Sequence, residues 1–184
     1  MHDFFQQLGG NPHSIQLMAC CRANPEVKRS LSDLYKIVKS DQIQNLLNEE
    51  GLDLYNNELS LRISLEISII SVKESSPDAY TLYFFLGLLP GGVTEVQLER
   101  LWGKTCQNCY KTLSQFGFFE QGVEKIVLKP FMINFAEEAI DRVSKFQYNL
   151  MICEYYLPLI KDCYRNICRK EERLSNTNSE HTGN

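Results

Sequence analysis

The sequence predicts a mainly α-helical protein with one small β-hairpin. Apolar side chains recur three and four residues apart over most of the chain, which places them on one face of a helix. Asn, Ser or Thr caps, prolines and glycines separate these stretches, as they do at helix ends. Hydrophobic residues make up 43% of the 184 residues, which is enough to build a core. We therefore expect a globular chain.

Residues 1–51 are predicted to form a helical subdomain. A short helix ends at Gly9-Gly10, and Asn11-Pro12 sets a turn before the next helix begins. Asn24-Pro25 repeats this signal, with the asparagine as the N-cap and the proline at the first helical position of an amphipathic helix. The subdomain therefore consists of short helices joined by turns.

A polar linker over residues 52–60 leads to a second predicted subdomain at 61–145. Residues 61–72 alternate apolar and polar side chains but also fit helical spacing, so periodicity alone leaves strand and helix open. Pro77-Asp78 then opens the strongly apolar segment 80–89, which is long enough for a buried helix. We expect this helix to be the core of the second subdomain.

Clear cap signals follow. The sequence Thr94-Glu95-Val96-Gln97 has the pattern of a capping box, and a further helix runs from about Thr105 to a C-terminal cap at Gly117. Residues 118–120 and 125–128 are short runs on either side of a glycine-containing turn, which predicts a hairpin. Three helices followed by a hairpin describe a winged helix.

The C-terminal part is predicted to be helical and then disordered. Phe131 to about Ile140 reads as a helix, and residues 146–170 form an apolar-rich helical extension that Pro158 interrupts. Residues 171–184 are polar and lack periodicity, which is typical of a disordered tail.

Two stretches resemble the NB-ARC family, a STAND-type group of signalling P-loop NTPases. Gly10-Asn11-Pro12 and the apolar helix after it are similar to the family's G-x-P motif. The second stretch is similar to its winged-helix subdomain in three places, namely Leu61-Arg62-Ile63-Ser64, the run from Phe84 to Gly92, and Leu98-Glu99-Arg100-Leu101-Trp102. The resemblance covers about residues 1–140 and favours a helix for residues 61–72.

This resemblance implies a nucleotide-controlled switch. In the family, the proline of G-x-P packs on the adenine of ADP or ATP and the glycine lets the backbone approach the nucleotide, roles that fall on Pro12 and Gly10. The family's Met-His-Asp motif, whose histidine reaches the diphosphate, aligns with Leu128-Lys129-Pro130. Neither the histidine nor the aspartate is present, which leaves Lys129 to offer an ammonium there. His13 follows Pro12 and either faces the ligand or lies on the surface.

The chain is not expected to be an enzyme. Gly103-Lys104-Thr105 spells the end of a phosphate-binding loop G-x-x-x-x-G-K-[ST], but the first glycine of that pattern falls on Leu98, and the segment follows a predicted helix instead of a strand. ADP or ATP is therefore expected as a cofactor only where an upstream P-loop subdomain is supplied. The histidines, His2, His13 and His181, give no positioned base for a nucleophile, so no catalytic residue is predicted.

The cysteines are predicted to be reduced core thiols. Their number, seven, is odd, and they lack the spacing of a disulfide framework. Cys106 and Cys109 form a C-x-x-C pattern on one helix face, but a zinc site needs about four ligands and no second pair or nearby histidine supplies them. Packing is expected there, and no metal.

Three functions follow from these observations. The first is a regulatory switch fragment, in which both subdomains form a lid over a nucleotide held by the upstream P-loop subdomain and the C-terminal helices lead to a sensor or repeat region. The second is a protein–protein adaptor that has lost nucleotide binding. The third, a winged-helix nucleic-acid binder, is disfavoured because the net charge is −4 and Lys111 is the only basic residue between Thr105 and Gln115.

The expected partners are proteins, and neither a membrane nor a nucleic acid is expected among them. The N-terminus lacks the basic start and apolar stretch of a secretory signal, and no apolar run approaches the ~18 residues of a membrane span. A cytoplasmic location is therefore predicted.

Overall fold

The computed structural model describes residues 11–24, 27, 29–38, 57–119 and 124–180. This part of the chain is mainly α-helical, as predicted, with eight helices and no β-strand. The helices are α1 (Pro12–Ala23), α2 (Leu31–Val38), α3 (Asn57–Ser75), α4 (Pro77–Gly87), α5 (Glu95–Trp102), α6 (Cys106–Gln115), α7 (Pro130–Ala139) and α8 (Arg142–Glu180). The chain divides into two compact units, Met1–Ile140 and Asp141–Asn184.

Asn24 ends a helix, so the prediction that it begins one is wrong. Its backbone N–H donates to the carbonyl oxygen of Cys20 over 3.0 Å, which closes the last turn of α1. Its own backbone is extended, with φ −66° and ψ 118°, because a residue before proline is pushed out of the helical region. The next helix, α2, begins only at Leu31.

The segment that fitted both strand and helix is the helix α3. Three buried serines, Ser64, Ser68 and Ser71, each donate their hydroxyl to the carbonyl oxygen four residues earlier over 2.8 Å. These bonds satisfy polar groups inside the core, so the alternating pattern does not require a strand. Residues 57–60 of the predicted linker already belong to α3, whereas 52–56 lie outside the described residues.

Helix α4 is the core of the first unit and contacts α3, α6 and α7. Its residues from Leu82 to Gly87 are all buried, as the apolar run predicted. A Cβ at Gly87 would lie 2.5 Å from the Cβ of Ala136, so the glycine lets α7 approach closely. The buried hydroxyl of Tyr83 donates to the carbonyl oxygen of Met132 over 2.8 Å and joins the same two helices.

The capping box at the start of α5 is confirmed. The Thr94 hydroxyl accepts from the backbone N–H of Gln97 over 3.2 Å, and the Gln97 side chain accepts from the backbone N–H of Thr94 over 2.9 Å. After α6, Gly117 adopts a positive φ of 76°, so the predicted glycine cap is also confirmed.

Three short segments pair through two isolated antiparallel bridges in the described residues. Phe119 pairs with Leu128, which joins the two runs predicted to form the hairpin, while residue 120 of the first run and residues 121–123 of the turn lie outside the described part. Val93 pairs with Ile126 through two backbone hydrogen bonds of 3.1 and 2.7 Å. The sequence does not predict this second pairing, since Val93 stands alone between a glycine turn and the capping box.

The second unit contains the helix α8, which starts after Asp141. The Asp141 carboxylate accepts from the backbone N–H groups of Val143 and Ser144 over 3.0 and 2.9 Å. The predicted interruption at Pro158 is wrong, because α8 continues through this residue, which is exposed. The helix also continues to Glu180 across part of the predicted tail 171–184, where no glycine or proline precedes residue 181 to end it. None of the described helices is long and apolar enough to cross a membrane.

Candidate functional site

The first turn of α1 is fixed by its own sequence. The Asn11 side chain accepts from the backbone N–H groups of His13 and Ser14 over 2.9 and 3.4 Å. Pro12 occupies the first helical position, where a missing N–H costs nothing. Pro12 is exposed, so its ring is open to a ligand. Gly10, the other predicted nucleotide contact, lies outside the described residues.

The segment around Lys129 is equally well fixed. Lys129 precedes α7 as its N-cap residue and has an extended backbone, and Pro130 takes the first helical position. The Lys129 backbone N–H donates to the carbonyl oxygen of Phe118 over 3.2 Å, and its carbonyl oxygen accepts from Met132 over 2.9 Å. The start of α7 is therefore tied to Phe118, next to the bridge between Phe119 and Leu128.

Helices α1 and α7 meet at their N-terminal turns. Lys129 Nζ donates to the side-chain oxygen of Gln16 over 3.0 Å, and the rings of His13 and Phe131 lie 5.4 Å apart between centroids. The structure thus brings the helix that begins at Pro12 against Lys129, two places that the sequence analysis singled out separately. The sequence gives no signal for Phe131 at this junction, whereas Gln16 follows Pro12 by about one helical turn and so lies on the same face.

The electrostatics of this junction favour an anion. The N-terminus of a helix carries a partial positive charge, and neither α1 nor α7 has an acidic residue in its first turn to offset it. Lys129 adds an ammonium, which donates to the neutral side-chain amide of Gln16. Burial raises the pKa of the neighbouring Cys20 thiol, and the Lys129 charge opposes that rise.

The cysteines differ in how deeply they are buried. Cys21, Cys106 and Cys109 are buried, as predicted for core thiols, and burial raises the pKa of each. The prediction is wrong for Cys153 and Cys163, which are exposed on α8. Among the residues that the structure describes, no three His, Cys, Asp or Glu side chains are grouped as a metal site would require.

Gly103-Lys104-Thr105 has the helical context that the sequence predicts. Gly103 ends α5 with a φ of 94°, and its backbone N–H donates to the carbonyl oxygen of Glu99 over 2.9 Å. A phosphate-binding loop follows a strand, so this segment lacks the required geometry.

A cleft of about 300 Å³ lies beside α5 and α6, away from any predicted site residue. Its lining combines apolar, thiol, phenol and acidic groups and comprises Glu95, Leu98, Cys106, Gln107, Tyr110 and Ile126. The sequence gives little signal for it, because Ile126 reaches the cleft only through its unpredicted pairing with Val93.

No family model, no curated protein and no solved structure matches this chain. The resemblance to the NB-ARC family therefore stays a prediction that rests on the quoted motifs. The junction of α1 and α7 is a separate observation that bears on it.

Proposed function

We propose that this chain is a regulatory nucleotide-switch fragment of the NB-ARC type. It acts as a lid and conformational relay over ADP or ATP, with an upstream P-loop subdomain as its partner, and it is not a catalyst. The observation that carries the proposal is the contact between the first turns of α1 and the segment Lys129 to Phe131. These are the two places that the family resemblance assigns to the adenine and to the diphosphate.

The two ends of the junction suit the two ends of a nucleotide. Pro12 is an exposed, rigid apolar surface of the kind on which an adenine ring packs. Lys129 stands where the family has a histidine, and an ammonium attracts phosphate oxygens over a similar range. The helix N-termini add to this attraction. Gly10 is proposed as the point of close backbone approach.

The order of elements supports a winged helix with a small hairpin as the moving part. Helix α4 is followed by the bridge residue Val93, by α5 and α6, by Phe119 and then by residues 126–128. In this last segment Ile126 pairs with Val93 and Leu128 pairs with Phe119. Since Lys129 directly follows this pairing, a rotation of the winged helix would move its ammonium relative to Pro12. Differential affinity for ADP and ATP would then shift the population of closed and open states.

Titration of this chain with ADP and, separately, with adenosine, in the presence of its upstream P-loop subdomain, tests the proposal through backbone amide NMR shifts. ADP is expected to shift the amides of His13, Gln16 and Phe131 at millimolar concentrations. Lys129→Gln should weaken ADP about 5-fold, as expected for the loss of roughly 1 kcal/mol of ion pairing, and leave adenosine unchanged. Pro12→Ala should weaken both ligands. Lys111→Gln, an exposed lysine of α6, is the matched control and should weaken neither.

Two results would contradict the proposal. One is the absence of any ADP-dependent shift near Pro12 and Lys129. The other is an equal effect of Lys129→Gln and Lys111→Gln, which would indicate a nonspecific loss of charge.

The adaptor function is the second candidate, because the second unit carries several exposed large apolar side chains. An adaptor would bind its partner with the same affinity in the presence and absence of ADP, whereas a switch would not. A nucleic-acid binder is a weaker alternative, for which a salt-sensitive DNA gel shift at micromolar protein would be the evidence.

A further inference from the structure

Helix α8 exposes a line of large apolar side chains. Seven of them have 49% to 71% of their surface exposed, and Cys153 is exposed as well. Single exposed apolar residues are ordinary, but a continuous row of them marks an interaction surface. We call this row the α8 seam; it consists of Val143, Phe146, Leu150, Cys153, Leu157, Ile160, Tyr164 and Ile167.

The seam follows the spacing of a coiled coil. Its members are separated alternately by three and four residues over the whole length from Val143 to Ile167. This is the heptad pattern in which positions a and d are apolar, and it winds one helix around another of the same pattern. Val143, Leu150, Leu157 and Tyr164 take position a, and Phe146, Cys153, Ile160 and Ile167 take position d.

We propose that α8 pairs in parallel and in register with α8 of a second copy of this chain. The exposed area of the seam is roughly 800 Å² per helix, so a pair would bury about 1,600 Å², the standard size of a specific protein–protein interface. Such a pair satisfies both seams without any other partner, because an in-register heptad pattern is complementary to itself.

The flanking residues favour the parallel arrangement. In parallel, Tyr156 at g faces Lys161 at e of the other copy, and Asn149 faces Glu154 in the same way. In the antiparallel arrangement with full overlap, the two helices would cross near residue 155. Glu154 of one copy would then lie beside Glu154 of the other. That contact between like charges is unfavourable.

Pro158 is compatible with this pairing. It takes position b, on the side of the helix away from the seam, so its ring does not enter the interface. A proline on the outer side also bends a helix toward its partner, as expected where solvent-side hydrogen bonds are missing.

Sedimentation equilibrium of the full chain tests the pairing, with two neighbouring substitutions as a matched set. The chain of 21.3 kDa is expected to sediment with twice that mass at micromolar concentration. Ile160→Glu places a charge at position d and should weaken the dimer more than about 100-fold. Leu159→Glu introduces the same charge at an exposed aliphatic residue outside the seam and should leave the dimer intact. Unchanged thermal unfolding of the first unit would show that both variants fold.

Cysteine cross-linking tests the parallel register. In a chain with Cys20→Ser, Cys163→Ser and Cys168→Ser, mild oxidation with copper phenanthroline and oxygen is expected to give a covalent dimer through Cys153, since each Cys153 faces its counterpart. Ile160→Glu in the same background should abolish the cross-link. Buried Cys21, Cys106 and Cys109 are inaccessible and serve as internal controls.

Several results would overturn the proposal. A monomeric mass at 100-fold higher concentration, or equal disruption by Leu159→Glu and Ile160→Glu, excludes the seam as the dimer interface. A dimer that never cross-links through Cys153 excludes the parallel register. A monomer that floats with phosphatidylserine vesicles would show that the seam covers a lipid surface. These readouts do not depend on ADP, so they stand or fall separately from the proposed function.

Discussion

At the scale of single residues, the Tyr83 hydroxyl is a buried polar group in the core of the first unit, and it is stable there because it forms a hydrogen bond. It donates to the carbonyl oxygen of Met132 and thereby links α4 to α7. Burial raises the pKa of this phenol, so it remains a hydrogen-bond donor throughout the physiological range. Removing the hydroxyl removes the bond without changing the ring.

Tyr83→Phe is therefore expected to lower the free energy of unfolding by about 1 kcal/mol, the net value of one buried hydrogen bond. Urea unfolding followed by circular dichroism measures the change. Tyr80→Phe is the matched control, because Tyr80 is only partly buried and its edge contact with the Phe84 ring does not involve the hydroxyl. A loss in the control as large as that in Tyr83→Phe would contradict the assignment.

Two adjacent glycines give a second prediction at this scale. Gly92 has a φ of 68°, and a Cβ there would lie 2.4 Å from a methyl of Val127 and 2.9 Å from the carbonyl oxygen of Ile126. Gly91 has open space at the same position. Gly92→Ala should lower the free energy of unfolding by more than about 2 kcal/mol, because it combines backbone strain with a clash.

Gly91→Ala is the control for that measurement and should change the free energy of unfolding by less than about 0.5 kcal/mol. Similar values for both variants would mean that the Val93–Ile126 bridge does not hold Gly92 in its conformation.

At the scale of whole elements, α5 and α6 begin in contrasting ways. Both have a threonine N-cap, but the Thr94 side chain bonds to the backbone of α5, whereas Thr105 makes no side-chain cap bond to α6. Because both residues are threonine, the same change to alanine can be made at each site. The difference between the two losses of stability then measures the contribution of the cap hydrogen bond.

Thr94→Ala should lower the free energy of unfolding by about 1 kcal/mol, and Thr105→Ala should have little effect. Gln97→Ala removes the other half of the capping box, so its loss should not add fully to that of Thr94→Ala. Urea unfolding of the three single variants and the Thr94→Ala/Gln97→Ala double variant checks this. Full additivity would show that the two bonds act independently.

Elements with local signals were predictable from the sequence. The capping box at Thr94, the prolines that begin α1 and α4, and the glycine after α6 depend on a few neighbouring residues. Asn24 shows the limit of this approach, since an asparagine before proline suits the end of one helix as well as the start of another. The buried serines of α3 gave its sequence the alternating pattern of a strand. They are tolerated inside the core because each donates to a carbonyl oxygen of its own helix.

The candidate site was predictable only in its parts. Pro12 and Lys129 were singled out by the family resemblance, but the hydrogen bond between Lys129 and Gln16 spans 113 positions. Nothing in the local sequence specifies such a contact. It depends on how α1 packs on α3 and on how the bond from Lys129 to Phe118 positions the start of α7. The seam of α8 has the opposite character, since its spacing is visible in the sequence and the structure adds that it is exposed.

At the scale of the whole molecule, the buried acidic groups make the fold sensitive to alkali. Burial raises the pKa of Cys20, Cys106, Cys109 and Tyr83, and it raises the pKa of Cys21 to about 11. In the unfolded chain a thiol ionises near pH 9. Each group thus loses its proton more easily in the unfolded state, so all of them shift the folding equilibrium in the same direction.

The sign of the effect follows from these values for Cys21. Its contribution to stability is fully present below about pH 9 and is lost as the pH rises toward 11, since mainly the unfolded chain releases the proton in that range. By pH 11 the loss amounts to about 2 kcal/mol from this thiol alone. The Ser68 hydroxyl, 3.3 Å from the sulfur, already donates to the carbonyl oxygen of Ser64, so the Cys21 thiol is the donor to Ser68.

Urea unfolding at pH 8, 9.5 and 10.5 is expected to show a steep fall in the free energy of unfolding for the native chain. Cys21→Ala should begin from a lower stability at pH 8, because it leaves a small cavity, but should fall less steeply by up to about 1.4 kcal/mol per pH unit. Cys163→Ala removes an exposed thiol outside the α8 seam and should preserve the native slope. If the native chain and Cys21→Ala lose stability in parallel between pH 8 and 10.5, the buried thiol between α1 and α3 is not the source of the alkaline instability.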